Sequence, residues 1–169
     1  MRPSFDFAIQ RLGNNLICAE IGVRAGHNAF DMLNTGKIAR LILVDPYPDY
    51  HEDEEHFKRE RQDSFQIEAI KRLSGFTDKT IWMFTDSEHS ASFFPDGFFD
   101  YVYIDGVHNY DWVKKDIAAW YNKVKKNGIL AGHDYINFKE GLRRAVDEFV
   151  KEKGLVLMVD KIDWMVVCK

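Results

Sequence analysis

Residues 20–27, Glu-Ile-Gly-Val-Arg-Ala-Gly-His, constrain the fold more than any other stretch of this 169-residue chain. They follow the apolar run 16–19 and lead directly into residues with helical spacing. A buried strand that feeds a glycine-bent turn and then a helix N-terminus is how α/β proteins build a crevice for a nucleotide-like ligand. Gly22 and Gly26 let the backbone approach a ligand closely, and Glu20 can accept hydrogen bonds from a cationic or hydroxylated group.

Short apolar runs alternate with helical patterns along the rest of the chain. We predict strands at 16–21, 41–44, 80–84, 101–104 and 129–131, and helices around 5–12, 27–36, 67–75, 110–125 and 138–154. Asn127 and Gly128 are predicted to end the helix over 110–125. Five strands that alternate with helices predict a parallel sheet covered on both faces. The runs 155–159 and 164–167 are too close in sequence for anything but a hairpin, which must insert one antiparallel strand.

Composition and charge exclude several classes of protein. The net charge of −4 argues against nucleic-acid and anionic-membrane binding, which usually need a basic face. No apolar run approaches membrane-spanning length and the N-terminus lacks the apolar region of a signal peptide, so we expect a cytoplasmic protein. Without repeats or linkers, residues 1–169 are expected to form a single domain. Cys18 and Cys168 fall in apolar runs and are expected to be buried free thiols.

Five polar motifs at the ends of the predicted strands resemble one enzyme family over nearly the whole chain. They are Glu20-Ile-Gly-Val-Arg-Ala-Gly26, Val44-Asp-Pro-Tyr47, Thr85-Asp-Ser-Glu88, Tyr103-Ile-Asp-Gly-Val-His-Asn-Tyr110 and Gly128-Ile-Leu-Ala-Gly-His-Asp-Tyr135. In this order they resemble the Rossmann-like S-adenosylmethionine-dependent methyltransferases, particularly the catechol-type and sugar O-methyltransferases. The resemblance implies a doubly wound, seven-stranded, mostly parallel sheet in the order 3-2-1-4-5-7-6, with strand 7 antiparallel and helices on both faces.

The resemblance also implies where S-adenosylmethionine would bind. Gly22 and Gly26, with Val23 between them, would bring backbone amides to the methionine carboxylate, and Glu20 would hold the ammonium group. Asp45 would accept from the ribose hydroxyls, although it could instead end the strand as an Asx turn. Tyr47 could stack beside the adenine or cover the sheet edge. The adenine would be contacted by Asp86, Ser87 and Glu88. Ser87 could instead be the N-cap of the next helix.

Asp105 and His108 are the predicted catalytic residues. In the resembling family an acid at the position of Asp105 lies near the transferred methyl group and the cofactor, and often ligates a divalent metal. Asp134 would be the second metal ligand. His133 is a weaker third candidate, because adjacent strand residues point to opposite faces. Two nearby carboxylates would favour Mg²⁺ or another divalent metal, and Asp134 could instead cap the turn that follows it, with no metal bound.

His108 would take the proton from an acceptor hydroxyl, since an imidazole titrates near neutral pH and a neighbouring carboxylate would orient it. The chain departs from the family in carrying Arg24 where a middle glycine is common. It also has only a short segment before the first strand, where catechol-type enzymes carry helices over the substrate. The acidic segment 46–56 could act as a flap in their place.

We therefore predict transfer of a methyl group from S-adenosylmethionine to a small-molecule acceptor, most naturally at a hydroxyl. One alternative is a metal-dependent oxygenase or hydrolase on the same scaffold, because two histidines and a carboxylate suit iron. Another is a non-catalytic cofactor-binding module. RNA methylation is disfavoured by the acidic pI of about 5.9. A homodimer could form through an aromatic patch at 93–94 or 98–99, although core packing is the simpler use of those rings.

Overall fold

A seven-stranded sheet forms the centre of the computed structural model, which describes residues 1–47, 59–136 and 140–169. The strands are β1 (Leu16–Ile21), β2 (Ile38–Val44), β3 (Thr80–Met83), β4 (Phe99–Ile104), β5 (Val124–Gly132), β6 (Met158–Asp160) and β7 (Asp163–Val167). Their order is β3-β2-β1-β4-β5-β7-β6. Strands β1 to β5 pair in parallel, while β7 runs antiparallel to both β5 and β6. The predicted order and the antiparallel seventh strand are confirmed.

The helices of the described ranges cover both faces of this sheet. They are α1 (Pro3–Leu12), α2 (His27–Asn34), α3 (Arg59–Arg72), α4 (Ser87–Ser92), α5 (Tyr110–Trp120) and α6 (Glu140–Lys153). One hydrophobic cluster joins α1, α2 and α3 to one face, and a second joins α4, α5 and α6 to the other. Alternation along β4 shows the division: Tyr101 and Tyr103 belong to the first cluster, Val102 and Ile104 to the second.

The prediction for residues 121–131 was wrong in its boundaries. Helix α5 ends at Trp120, a short 3₁₀ turn follows over 121–123, and Val124 begins β5 instead of continuing the helix. Val124 pairs with Phe99 and the register then shifts before Tyr101 pairs with Ile129. Asn127, at φ 65°, lies inside this irregularity rather than at a helix end. Val124 has the spacing of a buried helical residue, yet it is buried as a strand residue. Hydrophobic periodicity alone does not show where a buried helix ends.

Other features follow the sequence closely. Cys18 and Cys168 are buried free thiols, as predicted. Phe99 is fully buried and Phe94 and Phe98 pack against the core, while Phe93 is exposed. Within the described ranges, no helix combines the length and the apolar character that crossing a bilayer requires. Of the predicted flap over 46–56, residues 48–56 lie outside the described residues.

Candidate active site

The carboxyl ends of β1 and β4 meet at Gly22. The amide of Asp105 donates to the carbonyl of Ile21 at 2.7 Å, which draws the segment after β4 against the turn after β1. Gly22 has φ +88°, and a Cβ at this position would lie 2.3 Å from the carbonyl oxygen of Asp105. Only glycine fits such a contact, so Gly22 sets the distance between the glycine turn and the loop that carries Asp105.

Asp45 holds the glycine turn in shape. Its Oδ2 accepts from the amides of Val23 at 2.9 Å and Arg24 at 2.8 Å, and its Oδ1 accepts from the amide of Tyr47 at 2.9 Å. Burial raises the pKa of Asp45, and these three backbone hydrogen bonds oppose the rise. The Asp45 carboxylate therefore stabilises the glycine turn through hydrogen bonds to its backbone. The contact of Asp45 with a ribose stays a prediction.

The amides of Gly22 and Gly26 are themselves used within the turn, and the approach of the turn's backbone to a methionine carboxylate stays a prediction. The amide of Gly22 donates to the carbonyl of Val44 and that of Gly26 to the carbonyl of Val23, each at 2.9 Å. Neither amide is a free donor for a carboxylate. Gly26 has φ +73°, and a Cβ there would lie 3.3 Å from Ala69, so this glycine provides close packing between the turn and α3. Sequence spacing located the turn but could not show where its amides are used.

Glu20 and Asn28 form a buried polar pair beside the turn. Asn28 Nδ2 donates to Glu20 Oε1 at 3.0 Å. Glu20 Oε2 and Asn28 Oδ1 are both buried and have no hydrogen-bond partner among the residues that the structure describes. Burial raises the pKa of Glu20 to about 8; the Asn28 hydrogen bond opposes the rise, and the charge of Asp105 adds to it. Two orphaned acceptor oxygens in one place fit a cationic group with several N–H donors, such as an ammonium.

Tyr47 and the residues after β3 lie further along the same edge. Tyr47 is fully buried, and its hydroxyl donates to the carbonyl of Arg24 at 2.7 Å, so the ring packs in the core beneath the turn rather than facing an open pocket. The end of β3 adjoins that of β2, since the amide of Asp45 donates to the carbonyl of Met83 at 3.2 Å.

Asp86, not Ser87, is the N-cap of α4: its side chain accepts from the amide of His89 at 2.8 Å. The alternative role given to Ser87 is therefore wrong. Ser87 Oγ accepts from the indole of Trp120 at 2.9 Å and is also hydrogen-bonded to the buried Asp116. Burial raises the pKa of Asp116 to about 6, and the Ser87 hydrogen bond opposes the rise. Glu88 is exposed in the first turn of the helix.

Two carboxylates and two imidazoles come together at the ends of β4 and β5. His108 Nε2 lies 3.4 Å from Asp105 Oδ1 and 3.4 Å from Asp134 Oδ2. His133 Nδ1 lies 3.4 Å from the same Asp105 oxygen and 3.1 Å from Asp134 Oδ1. The four side chains thus form one compact centre, with each imidazole beside both carboxylates.

The strand alternation that we used to rank His133 below Asp134 does not apply at these two residues, although their roles as metal ligands stay predictions. Strand β5 ends at Gly132, so His133 and Asp134 follow the strand rather than belonging to it. Asp134 has φ 59°, which breaks the alternation of side chains that the strand pattern assumed. Both residues therefore reach the same centre.

The charges of this centre reinforce one another. Burial raises the pKa of Asp105, but the adjacent imidazoles of His108 and His133 outweigh it and the net shift is downward. Burial lowers the pKa of His133, but Asp105 outweighs it and the net shift is upward. A deprotonated carboxylate beside a basic imidazole is a suitable arrangement for accepting a proton.

The same side chains can hold a cation. Ligand atoms of Asp105, His108 and His133 all lie within 4.8 Å of one another. The Nε2 atoms of both histidines are buried and lack a hydrogen-bond partner in the described part of the chain. Two imidazoles grouped with a carboxylate fit a divalent metal, and this donor set suits a transition metal better than Mg²⁺.

Three residues of the site carried no sequence signal that we could use. Arg2 reaches Asp105 from the start of α1, Asn28 pairs with Glu20, and Asp163 lies buried beneath Arg2. Asn28 is close to the glycine motif in sequence, two residues after Gly26 in the first turn of α2, but nothing in the sequence pairs it with Glu20. The other two are brought in by the packing of α1 and β7.

This sheet order, the glycine turn after β1 and the acidic end of β4 define the Rossmann-like class of methyltransferases. Residues 19–135 match the family described as methyltransferase domain, and the chain belongs to that family.

Other proteins are similar to this chain in sequence or in fold. An uncharacterized protein of Acanthamoeba polyphaga mimivirus is 29% identical over 129 residues, which cover 75% of this chain and 54% of that protein. The chain thus spans about half the length of this relative. A candidate methyltransferase of Streptococcus mutans, solved in complex with SAH, has a TM-score of 0.70 at 16% identity, covering 99% of this chain and 98% of that one. A candidate caffeoyl-CoA O-methyltransferase of Staphylococcus aureus has a TM-score of 0.67 at 13% identity, covering 99% and 84%.

Proposed function

We propose that this protein transfers a methyl group from S-adenosylmethionine to a hydroxyl of a small-molecule acceptor. The observation that carries the proposal is the pair of buried oxygens on Glu20 and Asn28, which have no partner in the described part of the chain and lie where the end of β1 pairs with the end of β4. Membership of a methyltransferase family and the similar fold of a protein solved with S-adenosylhomocysteine support the same cofactor.

Glu20 and Asn28 would accept hydrogen bonds from the ammonium group of the cofactor. An ammonium has three donors, and the pair presents two unused acceptors in a buried place. The positive charge would also favour ionised Glu20, whose pKa burial raises to about 8. Asp45 would remain bonded to Val23 and Arg24 and keep the turn rigid around the cofactor.

Asp105 and His108 would prepare the acceptor. Methyl transfer is a direct displacement, so the protein has to align the reactants and remove one proton. His108 Nε2 lies 3.4 Å from an oxygen of Asp105 and 3.4 Å from an oxygen of Asp134, so these two carboxylates would stabilise the imidazolium that forms when His108 accepts a hydroxyl proton. A hydroxyl acceptor is also the chemistry named for the Staphylococcus aureus protein of similar fold.

A divalent metal is part of this proposal. Asp105 and His133 would hold it, with Asp134 alongside, which leaves His108 free for the proton. A bound divalent cation would lower the pKa of an acceptor hydroxyl and orient it.

Calorimetric titration with S-adenosylhomocysteine, with and without Mg²⁺, tests the cofactor site. We expect micromolar binding; no heat under either condition would overturn the methyltransferase proposal. The acceptor is tested with matched pairs of a phenol or sugar, its amine analogue and its methyl ether, by following formation of S-adenosylhomocysteine. Turnover of the hydroxyl compound that falls roughly 10²- to 10⁴-fold in His108→Gln supports the proposal. Turnover of the amine alone contradicts the hydroxyl acceptor.

A second candidate function is a metal-dependent oxygenase, favoured by the two-histidine, one-carboxylate grouping of Asp105, His108 and His133. Purification with stoichiometric iron, together with failure to bind S-adenosylhomocysteine, would favour it over methyl transfer.

A further inference from the structure

Arg2 is the residue before α1, and its side chain reaches the reaction centre. Its Nη2 lies 3.6 Å from Asp105 Oδ2, and its Nη1 lies 4.0 Å from Asp163 Oδ1. The guanidinium carbon is 5.8 Å from the centroid of the Tyr103 ring. One cationic side chain therefore spans two carboxylates from distant parts of the chain.

Asp163 is a rigid anchor for this bridge. It is fully buried at the start of β7, and its Oδ2 accepts from the amide of Ser4 at 3.3 Å and the hydroxyl of Ser4 at 2.7 Å. Its Oδ1 accepts from the hydroxyl of Tyr103 at 3.0 Å. These bonds fix the carboxylate and the first turn of α1, which begins directly after Arg2.

Asp163 has hydrogen-bond donors on both oxygens without Arg2. Within the described ranges, Arg2 is the one cationic side chain within 4.0 Å of this buried carboxylate. Asp163 therefore sets the position of the Arg2 guanidinium. The other side of this positive charge faces Asp105.

The two oxygens of Asp105 have different neighbours. Oδ1 lies 3.4 Å from both His108 Nε2 and His133 Nδ1, whereas Oδ2 faces Arg2. The terminal torsion of an aspartate is broad, so backbone and rotamer preferences alone do not fix the plane of its carboxylate. The positive charge of Arg2, held next to Oδ2, fixes the plane of this carboxylate.

We propose that Arg2 is a positioning residue that, anchored by Asp163, fixes the rotation of the Asp105 carboxylate so that Oδ1 faces the two histidines. Its catalytic meaning rests on the proposed function, but the positioning itself is a property of the ligand-free protein. Sequence gives no hint of it, because Arg2, Asp105 and Asp163 meet only through the packing of α1 against the sheet.

The test uses the imidazole Cε1–Hε1 correlations of the six histidines in the ligand-free 19.8 kDa protein. Asp105→Asn should move the signals of His108 and His133, which are assigned with single-histidine variants. Arg2→Gln should move the same two signals, and Arg2→Lys should move them less because it keeps the charge. Arg11→Gln, at the exposed far end of α1, is the matched control and should leave all six in place.

A merely structural role for Arg2 gives a different pattern. If Arg2 acts through Asp105, adding Arg2→Gln to Asp105→Asn should produce no further movement of the two signals, and Asp163→Asn should reproduce the effect of Arg2→Gln in a protein that still unfolds cooperatively. Unmoved signals in Arg2→Gln, or equal movement in the Asp105→Asn background, would overturn the proposal.

Cofactor affinity gives a second readout. Arg2→Gln should weaken S-adenosylhomocysteine binding about fivefold in the wild-type background and leave it unchanged in Asp105→Asn. Equal weakening in both backgrounds contradicts positioning through Asp105. If the wild-type protein binds no S-adenosylhomocysteine, the proposed function fails, while the histidine signals still decide the role of Arg2.

Discussion

Asn28 Nδ2 donates to Glu20 Oε1 at 3.0 Å, while Glu20 Oε2 and Asn28 Oδ1 are buried without a hydrogen-bond partner among the described residues. Unpartnered buried acceptors cost about 1–3 kcal/mol each in a folded protein. A ligand-free protein can carry such a cost where a bound ligand satisfies the acceptors. An ammonium bound between the two side chains would do so. This relationship gives the cofactor site its sharpest test.

Glu20→Gln should weaken S-adenosylhomocysteine binding by roughly 30-fold, about 2 kcal/mol, because the charged acceptor for the ammonium is lost. Adenosine has no ammonium group, so its affinity should change little in the same variant. Calorimetric titration with both ligands measures the difference, and the exposed Glu152→Gln serves as control. Equal losses for adenosine and S-adenosylhomocysteine would show that Glu20 does not contact the ammonium.

Glu20 should also make stability depend on pH. Its pKa is raised by burial from 4.5 to about 8, so the folded protein holds a proton that the unfolded chain has already released in that range. This contribution is fully present below pH 4.5 and is lost as the pH rises toward 8. The free energy of unfolding should therefore fall by up to about 1.4 kcal/mol per pH unit there.

Urea denaturation of wild type and Glu20→Gln at several pH values isolates this effect from the other shifted groups. The stability advantage of Glu20→Gln should grow from pH 5 to pH 8. A constant difference would mean that Glu20 titrates near its ordinary value in the folded protein.

Gly22→Ala should destabilise the protein by about 3 kcal/mol or more, because its Cβ would lie 2.3 Å from the Asp105 carbonyl oxygen. Gly36 is the matched control: it too has a positive φ, +68°, but a Cβ there has nothing within 4 Å. Gly36→Ala should cost only backbone strain, about 1 kcal/mol. Chemical denaturation of both variants separates the two terms, and similar losses would argue against the close approach of the two loops.

A transition metal should bind at the reaction centre. Co²⁺ titration followed by visible absorption should show a site in the wild-type protein, weakened about tenfold or more in His133→Gln because one of few ligands is removed. His89→Gln, on exposed α4 surface, should leave the affinity unchanged. Identical titrations for the wild type and His133→Gln would exclude His133 as a ligand.

Much of the fold was readable from local patterns. The strand over 16–21 coincides with β1, and the short link between the last two strands is the hairpin of β6 and β7. The helix over 110–125 was too long because Val124 satisfies a helical stripe and a strand equally well, and only its pairing with Phe99 decides between them. The alternation of side chains between the two faces of a strand likewise does not hold for His133 and Asp134. Both lie beyond the end of the strand, where a positive φ turns the chain.

The sequence by itself determined the order of the elements and the polar residues that end the strands, since hydrophobic period and glycine position act locally. Those signals were enough to place Glu20, Asp45 and Asp105 at one edge of a parallel sheet. The tertiary structure alone decided how these residues are used: which amides Asp45 occupies, which oxygens of Glu20 and Asn28 stay unbonded, and that Arg2 and Asp163 reach Asp105. Such contacts join residues far apart in the chain, and they depend on the packing of α1 and β7, which no local pattern encodes.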